Sequence, residues 1–218
     1  TSRGLGDVYK RQSEVYPLEI TSAYATYSNN GVWCKPIAIN RIVDRFGATI
    51  KEYSPRREEV LSEETAYLVT DLLQSVVDNG TGGRARWKYK FTHPAGGKTG
   101  TTQNWTDAWF VGFSPKIAAG VWFGVDDPKV SLGVNQSGSR AALPVWAKFM
   151  KAAHDSMGWK PEKFIKPDGI STQKICRISK LLPIRNCPVE NEIFITKYSP
   201  SQKCKVPVSY THLLAHET

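Results

Sequence analysis

No apolar stretch in this chain of 218 residues approaches the roughly 20 that a membrane-spanning helix needs, which excludes such a span within it. No signal-peptide pattern is visible either. Cysteine is sparse, at Cys34, Cys176, Cys187 and Cys204, and no two have Cys-x-x-Cys spacing, so the usual zinc patterns are absent. Acidic residues are outnumbered, 20 against 29 Lys and Arg, for a net charge of +9. That balance suits an anionic partner and does not require nucleic acid. What the chain does have is 40% hydrophobic residues and seven Trp. These are enough for a real core in a length that usually makes one domain, sometimes two.

The stretch richest in chemistry is Gly96-Gly97-Lys98-Thr99-Gly100-Thr101-Thr102. It is a near miss for a phosphate-binding loop, Gly-x-x-x-x-Gly-Lys-Ser/Thr, because Thr92 stands where the opening Gly belongs. Such a loop also needs a buried strand before it and a helix after it. Here a polar, basic stretch (84–90) precedes, and a Thr- and aromatic-rich one (101–106) follows. The alternative is Lys-Thr-Gly, one of three short motifs that build the active site of serine acyl-enzymes of the penicillin-binding and β-lactamase type. Residues 98–102 favour a strand, and Gly100 within them marks a close approach of backbone or ligand. The apolar runs 107–113 and 117–125, joined by Ser114-Pro115-Lys116, predict an antiparallel hairpin. The Lys-Thr-Gly strand then falls at or near the edge of that sheet, where it could pair with an extended peptide.

Here the chain resembles the transpeptidase domain of class A (bifunctional) penicillin-binding proteins, of the 1A type. Lys98-Thr99-Gly100-Thr101-Thr102 running into Asp107-Ala108-Trp109-Phe110-Val111-Gly112-Phe113-Ser114-Pro115 carries the likeness. Residues 13–27 are similar to the family's helix after its Ser-x-Asn motif, and residues 140–150 to its late helix. The resemblance implies an α+β fold of an antiparallel sheet flanked by helices, like that of serine β-lactamases but incomplete. It implies roles too. Lys98 is a fixed positive charge beside the nucleophile, and Thr99 and Thr101 offer hydroxyls to a substrate carboxylate. The Thr101 N–H is one oxyanion donor, Gly100 lets the substrate backbone lie close, and Thr102 completes the substrate-binding set.

The family's nucleophile motif, Ser-x-x-Lys, and its second motif, Ser-x-Asn, both precede the Lys-Thr-Gly strand. Neither is found in that place here. Ser171-Thr172-Gln173-Lys174 follows the strand and a Pro167-Asp168-Gly169 turn, so it does not open a buried helix. Ser28-Asn29-Asn30 falls at a helix end before Gly31, where it reads as C-cap chemistry. The nucleophile is therefore expected outside this chain, and the chain alone is expected to be inactive.

The remaining elements are coarser. A helix is predicted over 17–30 with Ile20, Ala23, Tyr24 and Tyr27 on one face, and a hairpin over 36–53 with Ile37, Ile39, Ile42, Val43, Ile50 and Tyr53 around an Asp44–Gly47 turn. Ser62 caps a helix running to about Asp78, with Ala66, Val69, Leu72, Leu73, Val76 and Val77 facing the core. A flexible loop is predicted over 79–83. The alternation of charge and aromatic over 84–91 could be taken for a nucleic-acid patch, but predicts a strand with one wet face. His93 is a loop residue rather than a base. Another long helix covers about 142–156, and an irregular, extended tail follows.

The tail holds Cys176, Cys187 and Cys204. An extracytoplasmic setting permits a disulfide, Cys176–Cys187 first or Cys187–Cys204. Cys34 reads as a lone buried thiol. No metal or cofactor is expected. Residues 1–12 are read as matching nothing in the family, and they and residues 208–218 resemble translated sequencing-adapter text, so both are expected to be non-native ends. Without them the charge falls to +8, the ends carrying Arg3, Lys10 and Arg11 against Asp7 and Glu217. The expected divisions are then 13–165, the C-terminal half of the transpeptidase domain, and 166–207, the Cys-containing tail.

The resemblance implies peptidoglycan stem peptides and β-lactams as partners, with the rest of the domain supplied by a preceding segment. It places the protein at the extracytoplasmic face of the bacterial inner membrane, in the periplasm, with membrane contact only through an N-terminal anchor not in this sequence. Nucleic acid is not expected as a partner. Two rivals remain, a non-catalytic domain binding a wall peptide or partner, and a serine β-lactamase relative.

Overall fold

The computed structural model describes residues 15–205 apart from 126 and 128. The two ends read as non-native, and the start of the stretch at 13, lie outside the described residues. The centre is a three-stranded antiparallel sheet of β5 (Gly96–Thr101), β6 (Asp107–Phe113) and β7 (Ala118–Gly124), in the order β5-β6-β7. Its register pairs Lys98 with Val111 and Trp109 with Trp122. The predicted hairpin of 107–113 with 117–125 is therefore present, closed at Ser114 N–H to Ile117 O, 2.9 Å.

Strand alternation divides the sheet's side chains between two layers. Phe110 faces α4 (Ala142–Met157), where Trp146 lies with its ring centroid 4.7 Å away. Gly112 shares that face, and a Cβ there would fall 2.7 Å from the Trp146 ring, so glycine lets the helix sit close. Trp146, Phe91, Phe110, Leu143 and Met150 are fully buried together, and burial of such side chains stabilises by about 1.5–3 kcal/mol each. On the opposite face, Tyr24 and Tyr27 of α1 (Pro17–Ser28) pack against Phe113. The helix α2 (Glu63–Asp78) packs against β5, and Ser62 Oγ accepts the Thr65 N–H at its start.

Several expectations are corrected. Residues 84–91 form no strand. Arg84–Trp87 is one helical turn, α3, with Ala85 and Phe91 inside. Arg86 holds this turn: its guanidinium pairs with Asp78 at 2.7 Å and donates to the carbonyls of Phe91 and His93. Alternation over so few residues fits one helical turn as well as it fits a strand. The loop 79–83 is closely bonded, with Gly80 and Gly82 both donating to Val76 O. On α1 Thr26 is buried and Ala23 exposed, and on α2 Thr70 is buried and Leu72 exposed.

The 36–53 hairpin is shorter than expected, β2 (Arg41–Val43) with β3 (Thr49–Glu52). Its apolar residues, with Ile37 and Ile39 ahead of it, are exposed. Its turn is as predicted, with Asp44 Oδ1 accepting the Phe46 and Ala48 N–H groups. A second small pair joins β1 (Val32–Cys34) to β4 (Arg57–Glu59). The tail is regular rather than irregular: β8 (Ile170–Cys176) pairs antiparallel with β9 (Val189–Ile195) over all seven residues.

Candidate active site

Among the described residues the strand β5 pairs only with β6, so its other edge is open there. Two bonds fix which groups face that edge. Thr102 N–H donates to Asp107 O, and Ser114 N–H to Ile117 O. In an antiparallel ladder bonded pairs alternate along a strand. Gly100 and Lys98 therefore exchange their bonds with Trp109 and Val111, while the N–H and C=O groups of Thr99 and Thr101 point away from β6. Lys98 Nζ donates to the outward Thr99 O at 3.0 Å, consistent with that phase.

Lys98 is exposed, and its second contact is Thr99 Oγ1 at 3.4 Å. Thr99 Oγ1 also lies 3.0 Å from Thr81 Oγ1. Thr101 Oγ1 accepts the N–H of Gly138 at 3.0 Å, and its own proton stays available to donate. Lys98, Thr99, Gly100 and Thr101 thus share one strand, as predicted. Thr102 stands just past it, with its hydroxyl engaged in the turn: it accepts the Asp107 N–H at 2.7 Å and meets Thr106 Oγ1 at 2.7 Å. That turn continues through Asn104 and Trp105 at positive φ (64° and 53°), an uncommon conformation for a tryptophan. It is tied to the 131–132 segment by Ser131 Oγ to Asn104 O and Leu132 N–H to Trp105 O.

Three residues around the site were given no role in it from sequence. Thr81 reaches Thr99 from the tight loop after α2, and Gly138 reaches Thr101 from the turn before α4. Arg84 donates to Ser139 O at 3.4 Å, and its Nε is buried with no partner among the described residues. The Gly-Thr-Gly-Gly and Ser-Gly-Ser stretches at 80–83 and 137–139 were the available signals. Glycine at 138 lets the turn lie directly against the strand, where a Cβ would fall 2.2 Å from Trp109 O.

The other polar groupings do different work. Ser171 and Lys174 lie in β8, and Ser171 Oγ meets Ser199 Oγ at 3.0 Å, so this Ser-x-x-Lys opens no helix. Ser28-Asn29-Asn30 ends α1, with the Asn29 N–H closing on Ala25 O and Thr26 O. Ser114 and His154 make a serine–histidine contact, 3.0 Å from Oγ to Nε2, while His154 Nδ1 meets Met150 O at 2.8 Å. Both side chains are buried, which closes the pair to a substrate. His93 lies in the loop before β5, its ring 4.4 Å from that of His154. Desolvation first, and then the neighbouring His154, hold its pKa below the usual histidine value.

In the tail neither expected disulfide pair is singled out. The sulfurs of Cys176, Cys187 and Cys204 converge instead, all within 4.8 Å of one another. Cys34 is half-buried, with Asn29 Nδ2 3.5 Å from its sulfur. Among the described residues no helix is long and apolar enough to cross a membrane.

Comparison with known proteins gives the family. Residues 2–151 match the penicillin binding protein transpeptidase domain, and residues 166–209 the penicillin-binding protein 1A C-terminal domain. The chain is 48% identical over 138 residues to penicillin-binding protein 1A of Aquifex aeolicus, and 34% identical over 192 residues to that of Clostridium tetani. These alignments cover 63% and 86% of the chain but only 18% and 24% of those proteins. Among solved structures, penicillin-binding protein 1A from Haemophilus influenzae superposes with a TM-score of 0.78 at 25% identity, over 87% of this chain and 33% of that one. The D,D-transpeptidase domain of a peptidoglycan glycosyltransferase from Eggerthella lenta gives 0.53 at 27% identity, over 69% of this chain and 35% of that one. With the Lys-Thr-Gly-Thr edge strand inside the first match and the tail inside the second, the chain belongs to the family of penicillin-binding protein transpeptidase domains, of the 1A type.

Proposed function

We propose that this chain forms the substrate-binding and oxyanion-stabilising wall of a serine-type D,D-transpeptidase, which cross-links peptidoglycan stem peptides and is acylated by β-lactams. The observation that carries the proposal is the outward phase of Thr99 and Thr101 on the open edge of β5. An extended stem peptide, or a β-lactam mimicking one, adds to such an edge as a further strand. The Thr101 N–H then meets the carbonyl oxygen as it gains negative charge during acylation. A preorganised donor there is worth about 3–4 kcal/mol in the transition state. The hydroxyls of Thr99 and Thr101 bind the peptide's terminal carboxylate, with Thr81 and the Gly138 amide fixing their orientation. The cations of Lys98 and Arg84 attract that carboxylate, and Lys98 favours removal of the nucleophile's proton.

The nucleophile itself comes from outside the described residues. Ser-x-x-Lys occurs once in this sequence, at 171–174, and there it lies within β8, with Ser171 Oγ against Ser199 Oγ. We place the working protein at the outer face of the bacterial inner membrane, where its substrate polymer is assembled. No cofactor enters this acyl-transfer chemistry. Retention of Lys98, Thr99, Gly100 and Thr101 around an open edge favours the enzyme over a non-catalytic peptide-binding domain, which needs no oxyanion donor. The match to the 1A-type C-terminal domain favours it over a β-lactamase relative.

A chimera tests the proposal: residues 15–157 replace the corresponding span of the Aquifex aeolicus penicillin-binding protein 1A. Fluorescent penicillin should label the chimera covalently and leave the 218-residue chain unlabelled. Lys98→Ala should slow labelling of the chimera at least 100-fold, within the range general acid–base groups contribute. Covalent labelling of the chain alone at Ser171, or a Lys98→Ala chimera labelled at the parent rate, would contradict it.

A further inference from the structure

The tail has little apolar cover of its own. Among the described residues its buried members are Ile170, Ile175, Cys176 and Cys204. A two-stranded hairpin is marginal by itself, and small units of this kind commonly carry a covalent or metal staple. Three stretches of backbone meet at one end of the β8–β9 hairpin, each bringing a cysteine. Cys176 is the last residue of β8, and Cys187 stands just ahead of β9. Cys204 lies on the returning chain, where a bridge joins Leu182 to Lys203 and the Cys204 N–H donates to Leu182 O at 2.8 Å.

The sulfur geometry distinguishes a disulfide from a metal. The three Sγ atoms lie within 4.8 Å of one another, and those of Cys176 and Cys204 are 3.6 Å apart. A disulfide needs about 2.05 Å and joins two sulfurs, leaving the third over. A tetrahedral ion with metal–sulfur bonds of about 2.3 Å holds its sulfurs about 3.8 Å apart, close to the 3.6 Å between Cys176 and Cys204, and uses all three. The backbone around Cys187 fits a ligand as well. Asn186 takes a positive φ of 70°, and the Ile184 N–H lies 3.4 Å from Cys187 Sγ, a contact of the kind that steadies a ligating sulfur.

We propose that Cys176, Cys187 and Cys204 form a three-thiolate site for a thiophilic divalent ion of the zinc class, which clamps the tail hairpin to the returning chain. On binding, each thiol releases its proton to solvent as its sulfur bonds the ion. No electrons are exchanged. Three thiolates and a divalent ion leave the site at a net charge of −1. Cys187 is the half-buried member of the three, so the fourth position opens to solvent on its side and takes a water molecule. Sequence spacing gave no sign of the site, because the ligands come from three separated segments with no Cys-x-x-Cys pair among them.

Cobalt(II) is the probe. Reduced with a phosphine and then titrated, the full 218-residue chain should take up one equivalent. It should show thiolate-to-cobalt charge-transfer absorption and the visible bands of a tetrahedral ion, and zinc should displace the cobalt. Cys176→Ser, Cys187→Ser and Cys204→Ser should each weaken uptake by more than the roughly 10–100-fold that loss of a supporting outer partner costs. Cys34→Ser should leave it unchanged. Since a tail variant can misfold, a second readout uses the unaltered chain: zinc should protect Cys176, Cys187 and Cys204 from alkylation, mapped by peptide mass spectrometry, but not Cys34. The proposal is overturned if the reduced chain takes up no cobalt, if Cys187→Ser binds cobalt as tightly and with as intense a charge-transfer band as the parent, or if two of the three cysteines form a disulfide in the presence of zinc.

Discussion

The amide of Gly138 donates to the hydroxyl of Thr101 at 3.0 Å, fastening the turn before α4 to the strand that carries the Lys-Thr-Gly motif. The approach is so close that a Cβ on Gly138 would overlap the carbonyl oxygens of Trp109 and Gly100. Gly138→Ala should therefore push the turn off the strand. Overpacking of this kind costs about 1–3 kcal/mol, so the denaturant midpoint of the chain should fall. Acylation of the chimera should slow as Thr101 loses its support. An unchanged midpoint together with an unchanged rate would show that the turn does not hold the strand.

The serine–histidine contact inside the molecule invites a catalytic interpretation that its burial opposes. Ser114→Ala removes the partner of His154 Nε2 and leaves a buried acceptor unsatisfied, at a cost of about 1–3 kcal/mol. Chemical denaturation of the chain should register that loss, while the acylation rate of the chimera should stay within about twofold of the parent. A large rate loss at unchanged stability would move Ser114 into the machinery.

His93 should make stability pH-dependent. Its folded pKa is lowered by desolvation and by His154, with Arg86 and Lys151 acting the same way and Asp155 opposing. The unfolded chain therefore binds the proton more readily than the folded one. The His93 contribution is complete above the unfolded histidine value of about 6.5, and is lost as pH falls from there through the folded pKa. Denaturant midpoints from pH 7.5 down to 5 should fall less steeply in His93→Gln than in the parent. Parallel curves would contradict the assignment.

Much of the site's frame was legible in the sequence, because local patterns and short-range chemistry determine it. The hairpin of β6 and β7 shows as two apolar aromatic runs around Ser114-Pro115, and Ser62 announces the start of α2. The edge position of Lys98–Thr101 follows from that hairpin. Contacts made by residues distant in sequence left no such trace. Thr81 meets Thr99, Gly138 meets Thr101, and three scattered cysteines meet in the tail, all through tertiary packing. The stretch 84–91 was misread because seven or eight residues do not separate a period of two from one helical turn. There Arg86, bonded to Asp78 and to two carbonyls, decided the outcome.

The central claim is that the outward Thr101 N–H stabilises the developing oxyanion, and proline at that position tests it most directly. Thr101 faces the open edge, where proline removes an N–H without breaking the ladder to β6. Thr101→Val in the same chimera removes only the hydroxyl and serves as the reference. The account predicts that Thr101→Pro is acylated by fluorescent penicillin about 100- to 1,000-fold more slowly than Thr101→Val. Equal rates for the two variants would contradict it.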